Sequence, residues 1–537
     1  MSPYSTIRQP LGRGVPPASA VQQRKYLPDG VLIPPVKPNG FLDKVAPYFC
    51  EFFATFLLAL TVGYCATFAD PAWNPLAIGA VLMVLIYSVE PVSGGYLNPA
   101  VSIALGFLGK LEWGSVLSYI IVQIIAAVLA AWTIFTMFNG NLTIQPNEKF
   151  GVVSAGFCEI FYSSLLCFVI LNCAASKRNN PSNDRNQSYA LAIGLVIIAG
   201  GYPCAPISGA FFNPAIVIGY GVLHLGTVFV YLIFHFIGAC FAVMLFKAVR
   251  PEDERFHDEA ALQRMPPSTD SKALSEFIGT LVLFVTVSLN IKAHSKQIGW
   301  SVGAALACMI YSLGDVSGGH FNPAVSAAVW LSGRSKSPPG KLALYIVMQV
   351  LATVCGGFFM ALINSETPYS SEIYGVHPAK GSSWAKVFVS ELMFTYLICF
   401  VFLSVSTTSH AHPGHAGPPK KNFYAAFAIG QCVAIAAFAV GSISGGVINP
   451  AVAVGLEVQM HSPFSSYNVT SDIVEVVNTT VKKGLELPVI ITAEHFLPDM
   501  TDWIWYALFE FAGCLLAAIH FHFSHAHEFY AKNAWPN

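Results

Sequence analysis

Apolar stretches close to the roughly 20 residues that a helix needs to cross a bilayer alternate with short polar breaks along most of the chain. Six fall in the first half, near 47–69, 76–90, 115–138, 153–174, 188–203 and 227–248. Six more follow in the same order near 273–291, 298–314, 340–363, 385–406, 423–441 and 503–524. Four shorter apolar pieces, 98–109, 213–224, 322–332 and 449–457, predict half-helices that enter and leave by the same face. Such backbone survives at membrane depth only where protein or water surrounds it. The pattern predicts an all-α membrane protein of two tandem units, each with six transmembrane helices and two re-entrant half-helices.

Six spans per unit is an even number, so both units enter the membrane the same way round. Each unit is itself two similar three-span pieces, which are inverted relative to each other. The predicted divisions are a mobile cytoplasmic tail (1–46), a first unit (47–248), a cytoplasmic linker (249–272), a second unit (273–525) and a C-terminal tail (526–537). A polar insertion at 458–502 interrupts the second unit on the extracellular or lumenal side. The linker is assigned from Pro251, Glu252, Asp253, Glu254, Pro266 and Pro267.

Composition agrees with burial in lipid. Of 537 residues 54% are hydrophobic and only 11% charged, against about a quarter charged in a soluble domain. A net charge of −1 gives no reason to expect nucleic acid as a partner. The twelve cysteines lie mostly in apolar segments without Cys-x-x-Cys spacing, so they read as small buried side chains. No cofactor, metal site or catalytic constellation is expected. Basic residues set the orientation: Lys110, Lys177, Arg178, Arg185, Arg334, Lys336, Lys341, Lys420 and Lys421 share one side, which the positive-inside bias makes cytoplasmic together with both termini. The opposite side receives the sequons at Asn141, Asn468 and Asn478, whereas the match at Asn186 falls in the cytoplasm. The surrounding membrane is either the plasma membrane or an endomembrane.

Four copies of Asn-Pro-Ala open the half-helices: Asn98-Pro99-Ala100, Asn213-Pro214-Ala215, Asn322-Pro323-Ala324 and Asn449-Pro450-Ala451. The first and third sit in almost identical decapeptides, Ser93–Ser102 and Ser317–Ser326, and the second resembles the fourth. Proline is cheap at the first helical position, where its missing N–H would be unpaired anyway. Asparagine caps the helix, and alanine allows two helix starts to come close. In an inverted repeat the positive ends of two half-helices converge. Their asparagine amides can donate to a passing water, polyol or urea while the dipoles repel cations.

These motifs, over nearly all of 47–248 and 273–525, resemble the aquaporin and aquaglyceroporin family, the major intrinsic proteins. The resemblance implies an hourglass fold, one pore per unit and a four-pore assembly, so two tandem chains would associate into a pseudo-fourfold ring. It also implies that Glu51, Glu159, Glu276 and Glu391 brace the re-entrant loops. The expected partners are the bilayer, water and small neutral solutes.

The chain departs from the family where that pattern places a filter arginine, because Ile216 and Val452 follow the second motif of each unit. The other filter positions would be Ile78, Gly201 and Ala210 in the first unit, and Val302, Ala437 and Gly446 in the second. Both predicted filters are small, aliphatic and uncharged. The aspartate of glycerol-conducting members is also replaced, by Val217 and Ala453. A wide apolar ring would pass larger, less polar solutes, or else dewet and close. Two alternatives remain: a non-conducting scaffold that lost its filter, and a weakly cation-permeable channel drawing on Glu90 and Asp315, which otherwise read as solvated loop carboxylates. A proton-coupled transporter using Glu510 is disfavoured, since no alternating gate is evident. His235 and Glu510 occupy equivalent positions in the last helix of each unit. The histidines at 410, 412, 415, 520, 522, 525 and 527 are candidates for pH sensitivity.

Overall fold

The computed structural model describes residues 40–140, 142–181, 186–222, 224–256, 258–334, 338–364, 376–408, 423–462 and 501–526. The regular structure of the described residues is all helical, without strands. The first unit comprises α1 (Leu42–Phe68), α2 (Asn74–Ser93), the half-helix α3 (Pro99–Phe107), α4 (Trp113–Phe138), α5 (Gly151–Ile170, continued by a π-turn at Leu171–Ala175), α6 (Tyr189–Ser208), the half-helix α7 (Pro214–Gly221) and α8 (Leu225–Val249). Two short helices follow, α9 (Pro251–Arg255) and α10 (Glu259–Arg264). The second unit repeats the order as α11 (Thr269–Lys292), α12 (Ile298–Leu313), α13 (Pro323–Leu331), α14 (Pro339–Asn364), α15 (Trp384–Ser406), α16 (Ala425–Ser444), α17 (Pro450–His461) and α18 (Asp502–Ser524).

Eleven described helices are long and apolar enough to cross a membrane, and α12 is the shorter twelfth with 16 residues. Helix α2 runs on through Glu90 to Ser93, whereas α12 stops at Leu313 and the following turn carries Asp315 inward. The first span begins at Leu42, so residues 42–46 assigned to the tail are helical. The segment 458–461 assigned to the insertion completes α17. Most of the remaining insertion lies outside the described residues, as do Asn141, Asn468, Asn478, His410, His412, His415 and His527.

Small residues set the closest helix approaches. Gly79 and Gly194 face each other between α2 and α6, and Gly303 and Gly430 do so between α12 and α16. A Cβ on Gly430 would lie 2.4 Å from the Gly303 carbonyl oxygen, so neither backbone could stay in place. Gly430→Ala is therefore expected to cost about 1–3 kcal/mol through overpacking, read as a lower unfolding midpoint in detergent.

The two units share one seam. Helices α5, α6 and α11 are 72–78% buried over their most apolar windows, against 22–28% for α1, α2 and α4. Across the seam Tyr162 Oη and Thr286 Oγ1 are 2.9 Å apart, and Ser301 Oγ donates to Ala199 O at 2.6 Å. Lys292 Nζ donates to Ser154 Oγ at 3.1 Å.

The stretch read as a linker is instead a folded clasp over this seam. Arg250 is fully buried and donates through Nη1 and Nη2 to both oxygens of Asp315, at 2.8 and 2.7 Å. It also reaches Asn172 Oδ1 on the π-turn and the Ser312 carbonyl on α12. Burial works against the guanidinium charge, but Asp315 and, behind it, Asp253 together hold the group above its ordinary value. Asp253 accepts from the Lys177 amide and Ser176 Oγ, and Glu252 pairs with Arg178. Asp315 is thus not a solvated loop carboxylate, its side chain being 8% exposed inside an ion pair.

Candidate functional site

Each Asn-Pro-Ala asparagine does two things at once. Its Oδ1 accepts from the alanine amide two residues on, at 2.9 Å for Asn98, 3.0 Å for Asn213, 2.8 Å for Asn322 and 3.1 Å for Asn449. Its Nδ2 donates across the unit to the carbonyl just before the opposite asparagine. Asn98 bonds Phe212 O and Asn213 bonds Leu97 O, both at 2.9 Å. Asn322 bonds Ile448 O at 2.8 Å and Asn449 bonds Phe321 O at 3.0 Å. A carboxamide nitrogen carries two hydrogens, so one on each asparagine is left for whatever occupies the space between the tips.

The four carbonyls belong to residues in the left-handed region: Leu97 (φ 53°), Phe212 (49°), Phe321 (50°) and Ile448 (44°). Bulky residues adopt that conformation only when their surroundings impose it. The bracing glutamates supply that constraint, being fully buried and accepting two consecutive amides each. Glu51 takes Tyr96 N and Leu97 N, both at 2.9 Å. Glu159 takes Phe211 N at 3.1 Å and Phe212 N at 2.9 Å, and Glu276 takes His320 N at 3.1 Å and Phe321 N at 2.8 Å. Glu391 takes Val447 N and Ile448 N at 3.1 and 2.8 Å.

A second brace, not recognised in the sequence, repeats four times. Tyr119, Tyr231, Tyr345 and Tyr506 donate to the carbonyls of Ser93, Ser208, Ser317 and Ser444 at 3.2, 2.8, 2.7 and 2.9 Å. One turn later on the same helices stand Gln123, His235, Gln349 and Glu510. The first three each place a nitrogen 2.8 Å from the glutamate that braces their loop, namely Glu51, Glu159 and Glu276. Tyrosine followed by a polar residue four positions later was the available signal, hidden because that second residue takes three different identities over the four sites.

In the first unit a cavity of about 240 Å³ runs between the helix tips. It is lined by Asn98 and Asn213, by Tyr96 and Asn74, and otherwise by apolar side chains and backbone. Ile78, Gly201, Ala210 and Ile216 line this same cavity. None of its lining residues is charged. Burial, then nearby Glu51 and Glu90, pushes the Tyr96 phenol up to about 12, so it lines the space as a neutral hydroxyl. At the matching place in the second unit burial holds His320 below its ordinary value, and its Nδ1 lies 3.0 Å from Ser326 Oγ. Val302 and Val452 are buried, Gly446 is buried and Ala437 half-buried.

Other sequence candidates fall elsewhere. Glu90 is partly exposed at the end of α2. His520 stacks on Phe400 with ring centres 4.4 Å apart, and His525 stacks on Phe521 at 4.5 Å. The Asn186 amide donates to Cys173 O.

A sequence profile of the major intrinsic proteins matches the chain three times, over residues 41–186, 157–296 and 267–469. Similar proteins include a "Probable aquaporin NIP-type" of Nicotiana alata, 32% identical over 190 residues, covering 34% of this chain and 67% of that one. A "Glycerol uptake facilitator protein-like 6" of Lactiplantibacillus plantarum is 30% identical over 189 residues, covering 34% and 82%. "Aquaporin NIP1-2" of Oryza sativa subsp. japonica is 29% identical over 192 residues, covering 34% and 62%.

Proposed function

Because this chain belongs to the major intrinsic protein family and is an integral, multi-pass membrane channel for water or small solutes, we propose that each half forms its own pore and that the pores favour small uncharged solutes over water alone. The observation that carries this reading is the first unit's cavity, where the two asparagines meet an apolar ring of Ile78, Gly201, Ala210 and Ile216. A filter without arginine lacks a fixed charge and several donors, so selection rests on the asparagine N–H groups and on width. Glycerol and urea fit such a lining, since each can accept from an amide while placing carbon against isoleucine. The names of the relatives, an aquaporin and a glycerol facilitator, agree with that class.

Passage is passive, driven by the solute gradient. The termini face the cytoplasm, following the lysines and arginines of the connecting loops. Two chains close a ring of four pores: the exposed α1 and α2 are the counterparts of α11 and α12, and α15 and α16 are the counterparts of α5 and α6, which already form the internal seam.

Stopped-flow swelling of proteoliposomes with water, urea, glycerol and a four-carbon polyol tests the reading. Glycerol uptake well above that of empty vesicles is expected, without ionic current in planar bilayers. Ile197→Trp, which fills the first cavity from α6, should remove the first unit's share. Uptake no faster than in empty vesicles for every solute would leave the non-conducting scaffold; ionic current would leave the cation channel.

A further inference from the structure

Three of the four re-entrant loops are held by a nitrogen donor pointed at their bracing glutamate, and the fourth has a carboxyl group in that place. Gln123, His235 and Gln349 each stand four residues after a loop-bracing tyrosine and lie 2.8 Å from Glu51, Glu159 and Glu276. Glu510 stands four residues after Tyr506, which donates to Ser444 O as its counterparts do. It is fully buried, and neither of its oxygens has a hydrogen-bond partner of normal geometry. Its electrostatic neighbours are Glu391, which accepts Val447 N and Ile448 N, and the backbone amide of Asn449.

Two bare carboxylates facing each other away from water would repel, and among the described residues no cation contributes at Glu510 to compensate them. From α15 the facing titratable groups are Glu391 and the buried Cys399, and α18 itself adds Tyr506 and Cys514. Helix α16 contributes Cys432 beside Cys399, and α13 has no titratable side chain. On α17 the acidic group is Glu457, which accepts from Val376 N, and Asp502 opens α18; both act on Tyr506. Like charges at such a site are resolved by one proton held between them. A protonated carboxyl also regains the one property that the glutamines and the histidine have in common, a hydrogen to donate.

We propose that Glu391 and Glu510 share a single proton, so that Glu510 acts as the O–H donor that positions the second re-entrant loop of the second unit. Glu510 is a positioning residue: it acts on Asn449 through Glu391 and the Val447 and Ile448 amides. The four loops of one chain are then held by three chemically different braces. The loop ending at Asn449 releases its brace when alkaline conditions remove the proton, whereas the glutamine-braced loops have nothing to release.

Infrared difference spectroscopy of the full chain in lipid, titrated from neutral to alkaline pH, reads the proton directly. A protonated-carboxyl C=O band is expected at neutral pH and lost on titration, and it should be absent at every pH in Glu510→Gln. Absence of the band at neutral pH in the parent, or its persistence in Glu510→Gln, overturns the proposal. The second arm rests on the reading that the second unit conducts: with the first cavity filled by Ile197→Trp, glycerol flux should fall several-fold at alkaline pH, and Glu510→Gln should retain flux and flatten the profile. Glu510→His, which copies the first unit's pair, is the check on folding and should also remove the alkaline loss. A pH profile unchanged by both substitutions overturns the positioning role. A correct infrared result with no flux through the second unit counts against conduction there and leaves the shared proton standing.

Discussion

Replacing Arg250 with methionine should destabilise the chain by about 3–5 kcal/mol, the usual cost of stranding one member of a buried ion pair. The substitution removes four donated hydrogen bonds at once, leaving Asp315, Asn172 Oδ1 and Ser312 O without them. Asp315 suffers most, since its side chain is only 8% exposed and an uncompensated carboxylate there has little water to turn to. The double variant Arg250→Met, Asp315→Leu should recover much of the loss, because an apolar pair of similar volume is often as stable as the ions it replaces. Recovery should stop short of complete, with Asn172 and Ser312 still lacking their partner. Equilibrium unfolding in mixed micelles compares the variants; equal midpoints for the parent and the single variant would show that the clasp contributes nothing to the seam.

The largest functional effect is expected from an arginine introduced into the apolar ring. Ile216→Arg places a long cationic side chain into a cavity of about 240 Å³ whose lining carries no charge. It narrows the passage beside Gly201 and Ala210 and adds donors that favour water over a carbon-rich solute. Glycerol flux through the first unit should fall at least tenfold, which corresponds to about 1.4 kcal/mol in the barrier, while water flux falls less. Val452→Arg should do the same in the second unit, and if each unit conducts on its own, as proposed, the two losses should add. Swelling rates of the two single variants and the double variant then apportion the flux. If glycerol uptake is unchanged in all three, solute does not pass these positions and the proposed filter is wrong.

The span pattern and the four Asn-Pro-Ala starts were legible because each rests on local chemistry: apolar runs long enough to span, and a proline where a helix can begin. The helices that emerge from Pro99, Pro214, Pro323 and Pro450 start at those residues. Helix α1 was harder to delimit, because Pro47 reads as a beginning although the helix runs through it from Leu42. The clasp was hidden for a different reason. Arg250 to Asp253 form a charged, proline-containing run that looks like solvated linker, and only the π-turn at Leu171–Ala175, which presents Asn172, and the early end of α12 bring its partners together. The pairing of Glu391 with Glu510 joins residues on α15 and α18, so no local pattern could have revealed it. The tyrosine and its polar follower one turn on were present in the sequence four times, but their meaning depends on which loop carbonyl and which glutamate they reach.

The crossed asparagine bonds also bear on how the protein is made. The carbonyl that Asn98 needs belongs to Phe212, 114 residues later in the chain. At synthesis rates of about 5–20 residues per second, the ribosome takes roughly 6–23 seconds to supply it. Through that interval the Leu97 backbone must wait in its unfavourable conformation, or not yet adopt it, with its own carbonyl unclaimed by Asn213. Insertion of the first three spans therefore leaves the Asn98 loop without its partner, and each crossed asparagine pair closes only when the later half of its unit has been made.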